Sequence, residues 1–285
     1  MALTRASVPY LLVLPASIVF AVFFITPLVT LTINSFYDYG RLTGIVHVFT
    51  LKNYQRIWLD GFYLDVIGRT LRLASITAIV TIIVGYPVAL YLTIASARVR
   101  AVVVFLVLSP LLISVIVRTF GWVMIIGPNG LLDAIFSVFG INDVHFLHTE
   151  AAVVVGLVNV LLPFVVLAVV TALQAIDPAV PFAASSLGAS PWRVFFNVTL
   201  PLSLPGLLAG LLIVFSLSSS TFVTPAVLGG SQYKVLSTIM YQQALILQNW
   251  PFAAAVAITL VLIVLVAVTL QTQIIERGRF RAVFQ

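Results

Sequence analysis

The sequence predicts an all-α polytopic membrane protein: six transmembrane helices, with a cytoplasmic helix–turn–helix between the fourth and the fifth. Three observations carry this. Hydrophobic residues make up 62% of the 285 residues and charged residues 8%, where soluble domains carry about 45–50% and about 25%. Mean hydropathy is +1.20. The few charges are also widely spaced: none lies between Arg5 and Asp38, Arg72 and Arg98, Glu150 and Asp177, Arg193 and Lys234, or Lys234 and Glu276. Each gap can hold a spanning helix of about 20 apolar residues.

The six spans are predicted at about 8–33, 73–96, 101–125, 151–175, 202–223 and 252–274. The first is too long for a signal-peptide core and further spans follow it, so it is read as mature structure. An even number of spans puts both termini on one side. With the termini inside, seven inner Lys/Arg (Arg5, Arg98, Arg100, Arg193, Arg277, Arg279, Arg281) face six outer ones (Arg41, Lys52, Arg56, Arg69, Arg72, Lys234). Short loops and span ends weigh most in the positive-inside rule. The tight Arg98/Arg100 turn and the Arg277–Arg281 tail therefore favour cytoplasmic termini, against Arg69 and Arg72. The net charge of +6 follows from this retention of Lys and Arg and needs no nucleic-acid partner.

Between the spans, the outer segment 34–72 holds Tyr54, Ile57 and Trp58, predicting a short interfacial helix with its aromatics at headgroup depth. Gly127-Pro128-Asn129-Gly130 predicts a turn before a short helix over 131–139. Segment 224–250 carries Pro225, Gly229-Gly230 and Tyr241-Gln242-Gln243. No separate domain or internal repeat is visible, so 1–285 is read as one transmembrane domain.

The loop 176–200 is the informative part. Asp177-Pro178 reads as a cap followed by proline at the first helical position. The helix it opens stops at Gly188, where the left-handed conformation suits glycine. Ser190-Pro191 starts a second helix, with Trp192, Phe195, Phe196 and Thr199 on one face at i, i+3, i+4, i+7, and Leu200-Pro201 is expected to end it. A helix pair with exposed aromatics either rests in lipid or seats in a partner.

This stretch resembles the loop signature of permease subunits of binding-protein-dependent ABC importers: Glu-Ala-Ala, three residues, Gly, nine residues, Ile, one residue, Leu-Pro. Ala183-Ala184, Gly188, Val198 and Leu200-Pro201 fall at those offsets. Phe182 stands where the family has its glutamate, and Ser186 where an aspartate is frequent. Asn53-Tyr54, Gly85-Tyr86-Pro87, Leu162-Pro163-Phe164, Val223-Thr224-Pro225 and Trp250-Pro251-Phe252 extend the likeness to the spermidine/putrescine-type permeases.

The resemblance implies a multi-pass inner-membrane permease with no enzymatic activity, importing polyamines. It also implies a second homologous permease chain (a heterodimer is the expected form), two ATPase subunits that hold ATP and Mg²⁺, and an extracytoplasmic solute-binding protein. ATPase coupling would fall on Ala183, Ala184, Gly188, Ala189, Ser190, Trp192, Phe195, Phe196 and Pro201. The missing acids leave shape and aromatics, not polar contacts, to dock this loop.

Arg118 is the one ionisable residue inside a predicted span, so it either faces the bundle interior as a functional group or snorkels to the outer headgroups. Asn159, Ser218, Ser219, Ser220 and Thr221 are further candidates for the solute route, against the alternative that hydroxyls bond their own backbone. A guanidinium on the route would suit a carboxylate-bearing, amino-acid-like solute better than a cation. Pro87 and Pro163 are expected to kink their helices. His145 and His148, near Asp143 and Glu150, have metal-like spacing, but a solvated loop is the preferred reading and no metal is assigned.

The chain has no cysteine and no glycine-rich loop ending in Lys-Ser or Lys-Thr, so thiolate chemistry and P-loop ATP binding are excluded. A stand-alone secondary transporter is the rival reading, but it is expected to show internal repeats and discontinuous helices, which the sequence does not suggest. A membrane-embedded enzyme would need catalytic side chains that are not apparent.

Overall fold

A computed structural model describes residues 8–140 and 145–277. Arg5, Asp143, Arg279 and Arg281 lie outside the described residues. Helix α1 (Val8–Phe20) runs through a π turn (Ala21–Ile25) into α2 (Thr26–Ser35); a hairpin of β1 (Tyr37–Gly40) and β2 (Gly44–Phe49) leads to α3 (Lys52–Leu59). Next come α4 (Gly61–Ile94), α5 (Ala97–Leu112), α6 (Val115–Ile126), α7 (Leu131–Val138) and α8 (Glu150–Gln174). The short α9 (Ala179–Ser186) and α10 (Pro191–Val194) follow, and a π turn (Phe195–Thr199) joins α10 to α11 (Leu200–Ser220). Then come α12 (Val223–Leu228), α13 (Leu236–Tyr241), a π turn (Gln242–Ile246) and α14 (Trp250–Arg277).

Among the described residues, six stretches are long and apolar enough to cross a membrane: Val13–Ser35, Gly61–Ile94, Val115–Val138, Glu150–Gln174, Pro191–Ser220 and Trp250–Gln273. The all-α, six-span expectation holds, with four corrections. The second helix starts at Gly61 and not near 73, because its charges find partners: Asp65 pairs with Arg69 one turn on (3.8 Å), and Arg72 pairs with Glu150. The third predicted span, 101–125, is discontinuous. α5 stops at Leu112, and Ile113 and Ser114 are extended (ψ 135° each) before α6 begins. Pro110 has already removed one amide from the ladder there. The fifth span stops at Ser220 and not 223, because Thr221 is extended (ψ 140°). Finally, Leu200-Pro201 does not end a helix. The wider π turn, in which the Leu200 N–H reaches the Phe195 carbonyl, admits the proline ring without a break.

The chain forms two compact units: one joins the stretch through Leu64 with Ile239–Val261, the other joins Asp65–Thr238 with the stretch from Leu262. In the first, α3 is stitched to the end of α2. The Asn53 amide donates to the Ser35 and Tyr37 carbonyls (3.0 and 2.9 Å), and the Tyr54 and Ser35 hydroxyls share a bond of 2.7 Å. Ile57 is fully buried, and the Arg56 guanidinium lies 4.8 Å from the Phe252 ring centre. The hairpin was not expected. Its turn needs Gly44 at φ +71°, and β2 alternates partly covered Gly44 and Val46 with exposed Ile45 and His47. Lys52 donates to Asp38 at 2.8 Å; that bond, helped by the Tyr39 N–H, holds the Asp38 carboxyl below its ordinary pKa.

In the second unit, α8 and α11 form the central seam. A Cβ at Gly206 would collide with the Ala168 carbonyl and the Ala172 methyl, and one at Gly210 would lie 3.2 Å from the Val165 Cα. Small residues thus let the two backbones approach, as helix pairs do where lipid supplies no hydrophobic drive. Val165, Val169, Leu157, Val214 and Phe215 are buried around this seam. Across from it, the Tyr86 hydroxyl of α4 bonds the Ser203 hydroxyl of α11 at 2.7 Å.

Gly206→Ala should therefore destabilise the protein by about 1–3 kcal/mol through overpacking. Gly121→Ala, in open space on α6, should be neutral or gain up to about 1 kcal/mol of helix propensity. Thermal unfolding of both variants in detergent checks the contrast.

Candidate functional site

Three local structures bear on function. The first is the helix pair α9–α10. The Asp177 carboxylate accepts from the Ala179 N–H (2.9 Å) and starts α9. The helix closes with two paired bonds, Ala189 N–H to the Ala184 carbonyl (3.2 Å) and Gly188 N–H to the Ser185 carbonyl (3.0 Å). This is a Schellman closure. It needs a left-handed residue, which Gly188 supplies at φ +85° with open space around its Cα. The Ser190 hydroxyl then accepts from the Arg193 N–H (3.4 Å), restarting the helix at Pro191.

The outward surface of this pair is apolar. Phe182, Leu187, Trp192 and Phe196 are exposed, Leu187 by 89%. Trp192 and Phe196 stack, with centroids 6.1 Å apart. Ala183 and Ser190 are exposed with them, Ala184 and Ala189 half-buried. Phe195 departs from the expected face. It turns inward and meets the Tyr86 ring edge-on at 5.7 Å while keeping an edge contact with Trp192 at 6.5 Å, because the π turn rotates it toward α4. Pro201, half-buried in α11, belongs to the helix and not to the knob.

The second structure is a cavity of about 290 Å³ where α5 meets α6 and α11 meets α12. It brings together Arg118, Ser220 and Thr221 from the sequence candidates and adds Thr224, which sequence reasoning missed. Its apolar wall is the α8 face Leu157, Val160, Leu161 and Phe164. The Arg118 guanidinium donates to the Pro110 carbonyl, in the last turn of α5. The remaining candidates do not line the cavity. Ser218 and Ser219 are buried, and both hydroxyls bond the Phe215 carbonyl (3.1 and 2.8 Å); Asn159 is half-buried elsewhere on α8.

The third structure was not foreseen. Arg72 of α4 meets Glu150, the first residue of α8, donating from Nε and Nη2 to both carboxylate oxygens. The Tyr233 hydroxyl donates to the same carboxylate at 3.0 Å, and burial followed by that carboxylate pushes the Tyr233 pKa up. Beside it the Leu236 N–H donates to the Thr70 hydroxyl (2.9 Å) and the His148 N–H to the Leu228 carbonyl (2.8 Å). The segment after α12 is thereby strapped to α4 and α8. Arg69 and Arg72 had counted against the orientation, yet each has an acidic partner, which the spacing of residues 72 and 150 could not reveal. No group of three His, Asp or Glu among the described residues is placed to hold a metal.

The family described as "Binding-protein-dependent transport system inner membrane component" matches residues 1–279. The spermidine/putrescine transport system permease protein PotB of Escherichia coli (strain K12) is 31% identical over 232 residues, covering 81% of this chain and 84% of the relative. The molybdenum transport system permease protein ModB of Azotobacter vinelandii is 31% identical over 179 residues, covering 63% and 78%. Among solved structures, a chain of a bacterial ABC transporter that imports the acidic polysaccharide alginate superposes with TM-score 0.80 at 20% identity, over 96% of this chain and 97% of that one.

The two phenylalanines of the π turn should separate cleanly. Phe195→Ala removes the packing against Tyr86 and is expected to cost about 1–3 kcal/mol. Phe196→Ala, on the exposed face, should stay within about 0.5 kcal/mol. Thermal unfolding of the isolated permease measures both.

Proposed function

This chain belongs to the binding-protein-dependent inner-membrane transport components, the permease subunits of ABC importers, and from that premise we propose which solute it carries and how it is driven. The solute is a polyamine such as spermidine or putrescine. The chain itself performs no catalysis: ATP and Mg²⁺ sit on two copies of a partner ATPase. A second, different permease chain completes the pathway, and an extracytoplasmic binding protein delivers the solute. Both termini are cytoplasmic, which puts the α9–α10 knob on the ATPase side.

One observation carries the coupling reading: the exposed apolar surface of Phe182, Leu187, Trp192 and Phe196 on a closure fixed by Gly188. An apolar patch on a short, capped helix pair marks an interaction site. The acids of the family pattern are absent, so shape and aromatic contact do the docking. Because α10 runs without a break into α11, a push on Trp192 is delivered to the span that lines the cavity.

The polyamine reading rests on the PotB likeness over most of the chain. On the proposed topology five acids of the described chain, Asp38, Asp60, Asp65, Asp133 and Glu150, lie on the face where a cation arrives. Arg118 is the observation that favours a carboxylate-bearing solute instead. Its guanidinium is engaged by the Pro110 carbonyl, which weakens that objection.

The test is spermidine uptake and ATP hydrolysis by the assembled importer in proteoliposomes. Each aromatic buried in a partner contributes about 1.5–3 kcal/mol. Trp192→Ala with Phe196→Ala should therefore weaken ATPase retention more than tenfold, with the spans inserted and the partner permease bound. Gly188→Val should uncouple hydrolysis from uptake, since a β-branched residue is strained at that φ. Full coupled uptake by the double variant would mean the aromatics only touch lipid. Uptake of an amino acid, with none of spermidine, would defeat the polyamine assignment.

A further inference from the structure

From Pro178 to Thr199 the chain carries one ionisable side chain, Arg193. It is exposed, and among the described residues its guanidinium has no ion-pair or hydrogen-bond partner. The nearest acid in the sequence, Asp177, accepts from the Ala179 N–H at the start of α9. Helix dipoles do not offset the Arg193 charge. The end of α9 and the start of α10 meet across residues 187–190, and their opposite partial charges cancel. The rest of the surface is apolar. Phe182 and Trp192 are exposed by 75% and 73%, and Leu187 and Phe196 are exposed too. Arg193 follows Trp192 directly and precedes Phe196 by one turn.

Helix length decides between lipid and protein as the cover of this face. The helical rod from Pro191 to Ser220 has 30 residues, about 45 Å at 1.5 Å per residue. The hydrocarbon layer is about 30 Å thick, and a tilt of about 20° shortens the rod's reach by only about 3 Å. With Ser220 anywhere inside the hydrocarbon, Pro191 stands at least about 12 Å beyond its inner boundary, past the headgroups. Trp192 and Arg193 are therefore held in the aqueous phase, where an interfacial anchor would hold them at headgroup depth.

A protein that covers this face takes the guanidinium out of water with the rings. A buried charge is costly unless it is paired and hydrogen-bonded, and a carboxylate matches the guanidinium fork best. Phe182 makes the opposite demand. Its ring offers no acceptor, so a base or polar donor facing it would lose its water and gain no partner.

We propose that the ATPase groove receiving this knob is apolar around Phe182, Leu187, Trp192 and Phe196 and carries one carboxylate that pairs with Arg193. The proposal rests on the reading of α9–α10 as the ATPase-docking knob, and deepens it by naming the partner's chemistry. An ATPase whose groove offers a base to a glutamate at position 182 is then a poor match, so Phe182 and Arg193 together select among ATPase subunits.

The experiment measures the affinity of the importer's own ATPase for the permease pair in lipid nanodiscs, across a range of KCl concentrations. Wild-type affinity should fall as salt rises. Arg193→Gln should weaken binding roughly tenfold at low salt and reduce the salt dependence, and Arg193→Lys should restore most of both. Phe182→Gln removes the ring alone, so its comparison with Phe182→Glu isolates the charge. The glutamate variant should bind more than tenfold more weakly than the glutamine variant. Both positions are exposed, so these variants keep the fold. Binding by Phe182→Glu equal to or tighter than that of Phe182→Gln would put a base in the groove and overturn the proposal. Unchanged affinity and salt response in Arg193→Gln would overturn it by removing the carboxylate. The Trp192→Ala, Phe196→Ala double variant separates the two claims. Loss of ATPase binding there, with no effect at Phe182 or Arg193, defeats the proposed chemistry and leaves the docking reading standing. Full ATPase binding by the double variant and by Arg193→Gln would put the whole face against lipid, and defeat the docking reading together with this one.

Discussion

A peptide carbonyl in hydrocarbon has no water to bond, so every interruption of a membrane helix must be satisfied by protein. This chain interrupts two helices, at Ile113–Ser114 and at Thr221, and much of its polar chemistry follows from that. Arg118 exists where it does because the α5 end needs a donor, and Ser237 serves the α11 end. The same constraint shapes the seam. α8 and α11 stay unbroken where they touch, and Gly206 and Gly210 bring their backbones close enough to pack without polar glue. The α8–α11 seam gives the second unit a closely packed wall, and the ends of α5 and α11 meet at the cavity beside it.

The path from knob to cavity is short in sequence and continuous in structure. From Pro191 to Ser220 the chain is one helical rod with a π turn near its start. The π turn solves two problems together: it admits Pro201 and it turns Phe195 against Tyr86 while Trp192 and Phe196 stay outside. Tyr86 meets the rod twice, through its ring at Phe195 and its hydroxyl at Ser203. α4 is therefore tied to the rod where the knob joins it, and at its other half to α8 through Arg72 and Glu150.

Much of this was legible in the sequence, because a bilayer selects for composition over long windows. Charge-free gaps located the helices, and Ser, Pro and Gly located the start and stop of α9 and α10. Reading charge as an end of a span failed at α4, where Asp65, Arg69 and Arg72 continue the helix because each meets an oppositely charged side chain. The break at Ile113–Ser114 was illegible for the opposite reason. Apolar residues fill both sides of it, and only the backbone turns. Proline was misread in the other direction: Pro201 was expected to stop a helix, but a π turn absorbs it. The cavity gathers Arg118, Ser220, Thr221 and Thr224 from segments about 100 residues apart, a proximity that no local pattern encodes. Ser218, Ser219 and Ser220 all bond carbonyls of their own helix, yet of the three only Ser220 lines the cavity.

The central claim is that the α9–α10 knob is cytoplasmic and seated in the ATPase. The chain has no cysteine, so one introduced thiol reports alone. Leu187→Cys places it at the most exposed apolar position of the knob. Its reaction with a membrane-impermeant maleimide is measured in right-side-out and inverted vesicles, with and without the ATPase. The account predicts labelling only from the cytoplasmic face, and protection when the ATPase is bound. Labelling from the outer face, or a rate indifferent to the ATPase, would contradict it.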